Sequence, residues 1–321
     1  MKFHLSKLIP DDLVQEILFV CDFFLRTPEQ PAYDQNKRPR RKGSAQCFEI
    51  PGPVLSDDSS EVDIVQEQTL LADSAWQDPI EELLCICKII DSGEKDLILH
   101  YNRLRSLLPY LIAITAASPI VEGKSTGTAD NRLLYYRENQ KKIPLICNHI
   151  VPEKIGSVHD YRKEQATIFT ELRKNDAEIL CEEWVNSRGV IIRFSRKCLE
   201  IKALDEQDCI RSDMAICAFI VSLIRCKSLP VETDQEALLV MTEDAIREGT
   251  AAFKPELEQL YTKAMGHATP EEKLYLPFIK ERIERGSLAE LVRNRYEREG
   301  DIVPILRDLA ASLKTNVPYR G

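Results

Sequence analysis

The chain has 321 residues, of which 44% are hydrophobic and 30% are charged, a balance typical of a globular protein with one large domain or two modest ones. Its formal net charge of −9 gives no overall attraction to nucleic acid or to an anionic membrane surface, so we expect neither as a partner. No apolar run approaches the roughly 20 residues that a membrane-spanning helix needs.

The cysteines and histidines do not show the spacing of a metal site. Several of the 10 cysteines lie in apolar runs such as "AICAFIVSLIRC", where a thiol behaves as a small hydrophobic group. Cys85 and Cys87 lack both a second cysteine pair and a nearby histidine, so a zinc site is not expected. Because no secretory signal is evident, we expect a cytoplasmic protein with reduced thiols.

The first third of the chain predicts few regular elements. Residues 1–30 have helical apolar spacing, and 31–62 have the composition of a long loop. The basic run "KRPRRK" within this loop indicates either a solvated surface, which we favour, or a nuclear-import or polyanion-binding patch. A short helix is expected over 63–76, and "LLCICKII" at 83–90 is typical of a buried strand.

The remainder predicts one β-hairpin among many helices. The β-rich segments "GVIIRFS" and "CLEIKALD" are separated by two basic residues, which indicates the hairpin. Apolar periodicity and capping residues predict the helices. These helices are 96–117, 130–140, 158–175, 211–226, 232–248, 255–264, 270–284, 287–297 and 301–314.

A few strands followed by many helices predict an α+β fold with an antiparallel sheet and segregated helices, because the elements do not alternate as βαβ units. We divide the chain into an N-terminal helix and loop segment (1–80), a core (81–227) and a helical C-terminal region packed on the core (228–321).

The segment "VEGKSTG" at 121–127 ends as a phosphate-binding P-loop does, but it does not satisfy that motif. The required first glycine falls on Ser118, and Pro119 beside it lacks the N–H group that a phosphate loop uses. A P-loop is therefore not expected here.

Alternation along the predicted hairpin places ionic side chains together. Glu200 and Lys202 share one strand face, and Arg193 shares its face with Ile191 and Ser195. Such a sheet face can bind an anionic substrate with its counter-ions. The alternative is a solvated outer face whose surface ion pairs contribute about 0–1 kcal/mol each.

Two stretches, "LPYLIAITAASPIVEGKSTGTADNR" and "EWVNSRGVIIRFSRKCLEIKALDEQDCIRSDMA", resemble the carboxylate–amine ligase family, the second type of glutamate–cysteine ligase. The family's motifs occur in order at 118–127, 192–193 and 199–205, and the resemblance covers 96–227. It implies a glutamine-synthetase-like antiparallel sheet with helices on one side. The N-terminal third looks atypical or shortened for the family.

The resemblance also implies an activity. ATP would phosphorylate a carboxylate, conventionally the γ-carboxylate of glutamate, and an amine would attack the acyl phosphate to form an amide, as in glutathione biosynthesis. Amino acids would be the substrates and Mg²⁺ would accompany ATP. A homo-oligomer is possible within such a family.

By resemblance, particular residues are assigned to this chemistry. Catalysis falls to Arg193, Glu200 and Lys202, and metal binding to Glu122 and Glu200. Substrate or nucleotide binding falls to Glu122, Lys124, Thr126, Asn131, Arg132 and Arg188.

The chain departs from the family pattern at its metal-binding strands. The Gly-x-Glu-x-Glu strand is not found, since "CFEIPG" carries only Glu49, and Cys85, Cys87 and Lys88 stand where polar ligands are expected. The alternative is therefore a catalytically degenerate ligase-fold protein that binds a nucleotide, a metabolite or a partner subunit. A helical interaction protein acting through 228–321 is a third reading.

Overall fold

The computed structural model describes residues 94–138, 141–195, 198–229 and 232–321. The predicted N-terminal segment, its loop and the strand at 83–90 lie outside the described residues.

Nine α-helices and four short strands form the described part of the chain. The helices are α1 Glu94–Thr115, α2 Asn131–Glu138, α3 Val158–Lys174, α4 Ile210–Arg225, α5 Gln235–Glu248, α6 Lys254–His267, α7 Leu276–Arg285, α8 Leu288–Glu299 and α9 Ile302–Thr315. The strands are β1 Ile120–Val121, β2 Lys124–Ser125, β3 Val190–Arg193 and β4 Cys198–Ile201. This mostly helical architecture with small antiparallel sheets confirms the α+β class, and the predicted helices correspond to observed ones.

Helix α1 is the centre of the main hydrophobic core. Leu104, Leu108 and Leu111 are fully buried, and α4, α5 and β3 pack around them. Helices α6 and α7 add to the same core through α4. Among the described helices, none combines the length and the apolar character needed to cross a bilayer.

The predicted hairpin forms as an antiparallel pair of β3 and β4. Ile191 lies opposite Glu200, and Arg193 lies opposite Cys198. Because directly opposed residues share a face, Arg193 stands diagonal to Glu200 on the same side of the ribbon. The other side is buried in the main core through apolar residues of both strands, so the predicted alternation is confirmed.

The segment expected to be a loop at 121–127 contains a second, very short hairpin of β1 and β2. Its turn residues, Glu122 and Gly123, have φ angles of 50° and 73°. Two consecutive left-handed residues are typical of the two-residue turns that match the twist of a hairpin. The sequence did not indicate this turn, because glutamate seldom adopts positive φ.

A buried ion pair joins distant parts of the C-terminal half. Asp208, just before α4, accepts a hydrogen bond from Nη2 of Arg282 in α7 at 2.9 Å, and the two side chains are 0% and 2% exposed. The second oxygen of Asp208 accepts the backbone N–H of Tyr319 at 2.5 Å. The carboxylate therefore fixes α4, α7 and the C-terminal segment to one another.

Removing this carboxylate should strongly destabilise the protein. In Asp208→Ala, Arg282 loses its buried counter-charge, and we expect the free energy of unfolding to fall by about 3–5 kcal/mol in urea denaturation. Asp244→Ala is the matched control, because its pair with Arg247 is solvent-exposed and should contribute no more than about 1 kcal/mol. Equal losses in the two variants would contradict this account.

Gly189, which precedes β3, leaves no room for a side chain. A Cβ there would lie 2.8 Å from the carbonyl oxygen of Ile150 and 2.9 Å from Cδ1 of Leu108. We expect Gly189→Ala to lower the free energy of unfolding by about 1–3 kcal/mol. Gly266→Ala should instead raise it by about 0.5–1 kcal/mol, because Gly266 lies within α6 beside open space. Thermal and urea unfolding of both variants would show whether the free energy of unfolding changes in opposite directions.

Candidate functional site

The three residues predicted to be catalytic meet on the β3–β4 hairpin. Arg193 Nη1 lies 2.5 Å from Glu200 Oε2, and Lys202 Nζ lies 4.0 Å from Glu200 Oε1. Glu183 approaches from the preceding turn, with Oε2 at 3.7 Å from Arg193 Nε. We call Glu183, Arg193, Glu200 and Lys202 the hairpin cluster.

The hairpin cluster is largely shielded from solvent. The side chains of Arg193, Glu200 and Lys202 are 12%, 18% and 11% exposed, so these are not the fully solvated ion pairs of the alternative interpretation. The ammonium of Lys202 donates to the carbonyl of Trp184, and Glu183 accepts from the N–H and hydroxyl of Ser195. These contacts hold the charges in place, and a charged group in such a setting interacts more strongly than one in water.

A second group of polar residues surrounds Asp205, which follows β4. Oδ2 of Asp205 accepts the backbone N–H of Ala117 at 2.8 Å and the hydroxyl of Ser118 at 3.0 Å. Oδ1 accepts from Nε of Arg132, at the start of α2. We call Ser118, Asp130, Arg132 and Asp205 the Asp205 cluster. Its central carboxylate was absent from the assigned site residues, although the motif at 199–205 ends on it.

Thr126 and Asn131, which were predicted to bind substrate or nucleotide, connect the short hairpin to this cluster. Asn131 Nδ2 donates to the carbonyl of Ser118 at 2.7 Å and contacts the Thr126 hydroxyl at 2.8 Å. Asn131 is 3% exposed, so its amide orders the segment around Ser118.

Asp130 is a buried acid that the sequence did not single out. Its Oδ1 accepts the backbone N–H of Leu133 at 2.9 Å and so caps the start of α2. Burial, reinforced by the nearby carboxylate of Asp205, raises the pKa of Asp130 to about 7, while Arg132 opposes the shift. Oδ2 has no hydrogen-bond partner among the described residues.

One contact joins the two clusters. Arg132 Nη1 donates to the backbone carbonyl of Lys202 at 3.3 Å. Arg132 therefore brings the start of α2 next to the end of the β3–β4 hairpin. Within the described residues, Nη2 of Arg132 is buried without a hydrogen-bond partner.

Glu122 and Lys124 belong to neither the hairpin cluster nor the Asp205 cluster. Both side chains are exposed on the short hairpin, and neither forms a hydrogen bond or ion pair within the described part of the chain. Helix α8 anchors the backbone around them, since Tyr296 Oη donates to the carbonyl of Gly123 at 2.8 Å and Arg293 Nη1 to that of Gly127 at 3.2 Å.

Arg188 is buried and belongs to a separate group of charged residues. Its Nη1 lies 3.3 Å from Glu164 and 3.5 Å from Glu153, and neither acid is part of the hairpin cluster. Burial and the neighbouring Glu153 raise the pKa of Glu164 to about 7. The prediction that Arg188 contacts a ligand stays a prediction.

The described residues do not fit a Mg²⁺ ion. Mg²⁺ requires oxygen ligands in a near-octahedral arrangement. Both carboxylates of the hairpin cluster face Arg193, and Glu122 lies on a different hairpin from Glu200. No group of three or more His, Cys, Asp or Glu suited to a metal occurs within 94–138, 141–195, 198–229 and 232–321.

The raised pKa of Asp130 predicts a pH-dependent stability. Folded protein binds a proton at Asp130 more tightly than unfolded protein, so this carboxyl costs stability increasingly as the pH rises from about 4 to about 7. In Asp130→Asn the cost is absent, and the amide oxygen can still cap α2. We therefore expect the stability of the variant, relative to wild type, to increase over this range in urea denaturation.

The control for this measurement is Asp160→Asn. Its hydrogen bond from Ser157 lowers the pKa of Asp160, so its contribution to stability changes only below the ordinary value of 3.8. The relative stability of this variant should be nearly constant above that pH. A flat profile for Asp130→Asn as well would show that Asp130 is ionised normally in the folded protein.

Comparison with known proteins shows sequence similarity over a region much larger than the two clusters. A protein of Archaeoglobus fulgidus, described as uncharacterized, is 47% identical over 233 residues, which are 71% of this chain and 62% of that protein. The chain thus spans about six-tenths of the length of this relative. The chaperone ClpB of Clostridium perfringens is 28% identical over 165 residues, covering 50% of this chain and 19% of the chaperone. The model of glutamate-cysteine ligase family 2 matches residues 84–308, and the chain therefore belongs to that family.

Proposed function

We propose that the chain is an ATP-dependent carboxylate–amine ligase that forms an amide bond through an acyl phosphate. The observation that supports this most is the adjacency of the hairpin cluster and the Asp205 cluster through Arg132 and Lys202. The match to glutamate-cysteine ligase family 2 supports reading the two adjacent clusters as parts of one ligase site.

The arginines of the two clusters retain donors for an anionic ligand. A guanidinium has five N–H donors. Arg193 donates a hydrogen bond only through Nη1 within the described residues, and Arg132 donates through Nε and Nη1. The remaining N–H groups can bind a carboxylate or phosphate oxygen, and the planar guanidinium suits both groups.

The proposed reaction has two steps. In the first, a substrate carboxylate oxygen attacks the γ-phosphorus of ATP, the bond to the β-phosphate oxygen breaks, and ADP leaves. In the second, an amine attacks the acyl carbon, inorganic phosphate leaves, and the amine loses a proton. Arg193 and Lys202 would offset the charge on the transferring phosphoryl group, as preorganised cations do. Glu200 would orient Arg193 and bind the substrate ammonium.

Further features of the proposal follow from the resemblance. They are amino-acid substrates, with glutamate as the carboxylate donor as in glutathione biosynthesis, Mg²⁺ beside ATP, and a glutamine-synthetase-like sheet with helices on one side. The described residues form two separate two-stranded antiparallel ribbons. A cytoplasmic location remains part of the proposal, carried over from the cysteines that lie in apolar runs of the sequence. The division into 1–80, 81–227 and 228–321 likewise stays a prediction.

Turnover tests the proposal directly. Purified protein supplied with MgATP, glutamate and a panel of amines should release ADP and form an amide. Arg193→Ala and Glu200→Gln should each lower the rate about 100-fold or more, because each removes a charge or its orienting partner from the hairpin cluster. Arg173→Ala is the matched control, since Arg173 pairs with Glu178 on the exposed surface and should leave the rate unchanged. Unchanged turnover in Arg193→Ala would remove this residue from the site.

A ligand-binding protein without turnover is the second candidate. It is favoured by one observation, that within the described residues the carboxylates of the hairpin cluster are engaged by Arg193 and do not assemble a metal site. Calorimetric titration separates the two candidates. ATP binding that Arg132→Ala abolishes, without ADP release above background, would favour the binding protein.

A further inference from the structure

A cavity of about 280 Å³ lies between α2, the connection from α2 to α3, and α5. Its apolar lining consists of Ile150 in the connection and of Leu239 and Val240 in α5. Ile150 is buried, whereas Val240 is 63% exposed, so the cavity is open to solvent on one side. Among the described residues that line it, none belongs to the hairpin cluster or to the Asp205 cluster.

A pair of opposite charges lines the same cavity. Arg137, in the last turn of α2, donates to both carboxylate oxygens of Glu243 in α5, and the hydrogen bond from Nη2 is 3.2 Å long. The two side chains are 30% and 55% exposed. His149 also lines the cavity and is exposed. The cavity therefore combines an apolar surface with a guanidinium, a carboxylate and an imidazole.

The ion pair keeps hydrogen-bonding capacity for a ligand. A guanidinium has five N–H donors, and each carboxylate oxygen has two acceptor positions. The two hydrogen bonds between Arg137 and Glu243 use two of those donors and one position on each oxygen. Because both side chains are partly exposed, a polar ligand can bind the remaining donors and acceptors without breaking the pair.

We propose that this cavity is a binding site for an α-amino acid with an aliphatic side chain. The α-carboxylate would bind Arg137, the α-ammonium would bind Glu243, and the side chain would contact Ile150, Leu239 and Val240. A zwitterion matches both charges, whereas a simple anion would meet the Glu243 carboxylate and a simple cation the Arg137 guanidinium. A polar side chain would be desolvated against the apolar lining without gaining a partner there.

The size of the cavity agrees with such a ligand. Sites for drug-sized molecules have volumes of roughly 300–1,000 Å³, so a cavity of about 280 Å³ suits a smaller molecule. Since one side is open, part of the ligand surface would remain in water, and we expect a dissociation constant on the order of 1 mM. The site is additional to the proposed ligase site, and binding there requires no turnover.

Equilibrium dialysis of the full chain against labelled L-leucine, without ATP, tests the proposal. Two analogues each remove one charge, because 4-methylpentanoate lacks the ammonium and 3-methylbutylamine lacks the carboxylate. Each should compete at least about tenfold more weakly than unlabelled leucine, since one member of the ion pair then has no ligand group. L-Glutamate should also compete weakly, because its side-chain carboxylate would lie against apolar groups.

Variants locate the site. Arg137→Gln and Glu243→Gln should each raise the dissociation constant for leucine at least about tenfold. Arg247→Gln is the matched control, because Arg247 pairs with Asp244 on the same helix and does not line the cavity. Arg193→Ala, in the hairpin cluster, should likewise leave leucine binding unchanged, which separates this cavity from the proposed ligase site.

Circular dichroism would verify that each variant keeps its fold, and the analogues test the wild-type protein in any case. The proposal would be overturned by a protein that does not bind leucine, by analogues that bind as tightly as leucine, or by binding that survives both Arg137→Gln and Glu243→Gln. Loss of leucine binding in Arg193→Ala would overturn it as well, since leucine would then occupy the hairpin cluster. Absence of ADP release would change none of these expectations, so the two proposals fail separately.

Discussion

One buried carboxylate, Asp205, positions the candidate site. It binds the backbone N–H of Ala117 at the end of α1, the hydroxyl of Ser118 and the guanidinium of Arg132. Since Asp205 itself follows β4, three separate stretches of the chain meet at its two carboxylate oxygens. Arg132, once fixed, reaches the carbonyl of Lys202 and so ties the hairpin cluster to the same point. The placement of Arg132 therefore depends on a carboxylate that is itself buried.

The buried carboxylates of Asp205 and Asp130 lie close together but have different surroundings. Asp205 accepts three hydrogen bonds, whereas Asp130 is buried beside it, and burial together with the Asp205 carboxylate raises the pKa of Asp130 to about 7. Beside Arg188, burial and the neighbouring Glu153 likewise raise the pKa of Glu164 to about 7. Folding places several acids of this chain where ionisation is unfavourable.

Much of this arrangement could be predicted from the sequence, and the reasons are local. Apolar periodicity predicted the helices, and strand alternation placed Glu200 and Lys202 on one face of their strand. The pairing of β3 with β4 is what puts Arg193 on that same face. Contacts between residues far apart in the chain were not predictable in this way. The pair of Asp208 and Arg282 spans 74 positions, and neither residue lies in a motif that names the other. Likewise, nothing near Glu122 indicated that its side chain would remain in solvent on a tight turn.

The anchoring of the short hairpin by α8 has a consequence for how this family can vary. Helix α8 holds that segment by the carbonyl oxygens of Gly123 and Gly127, which every amino acid possesses. The backbone conformation of this hairpin therefore does not depend on which side chains most of its residues carry. Substitutions in the turn of the short hairpin can therefore change which molecules it contacts, while the hydrogen bonds from α8 to the backbone are kept.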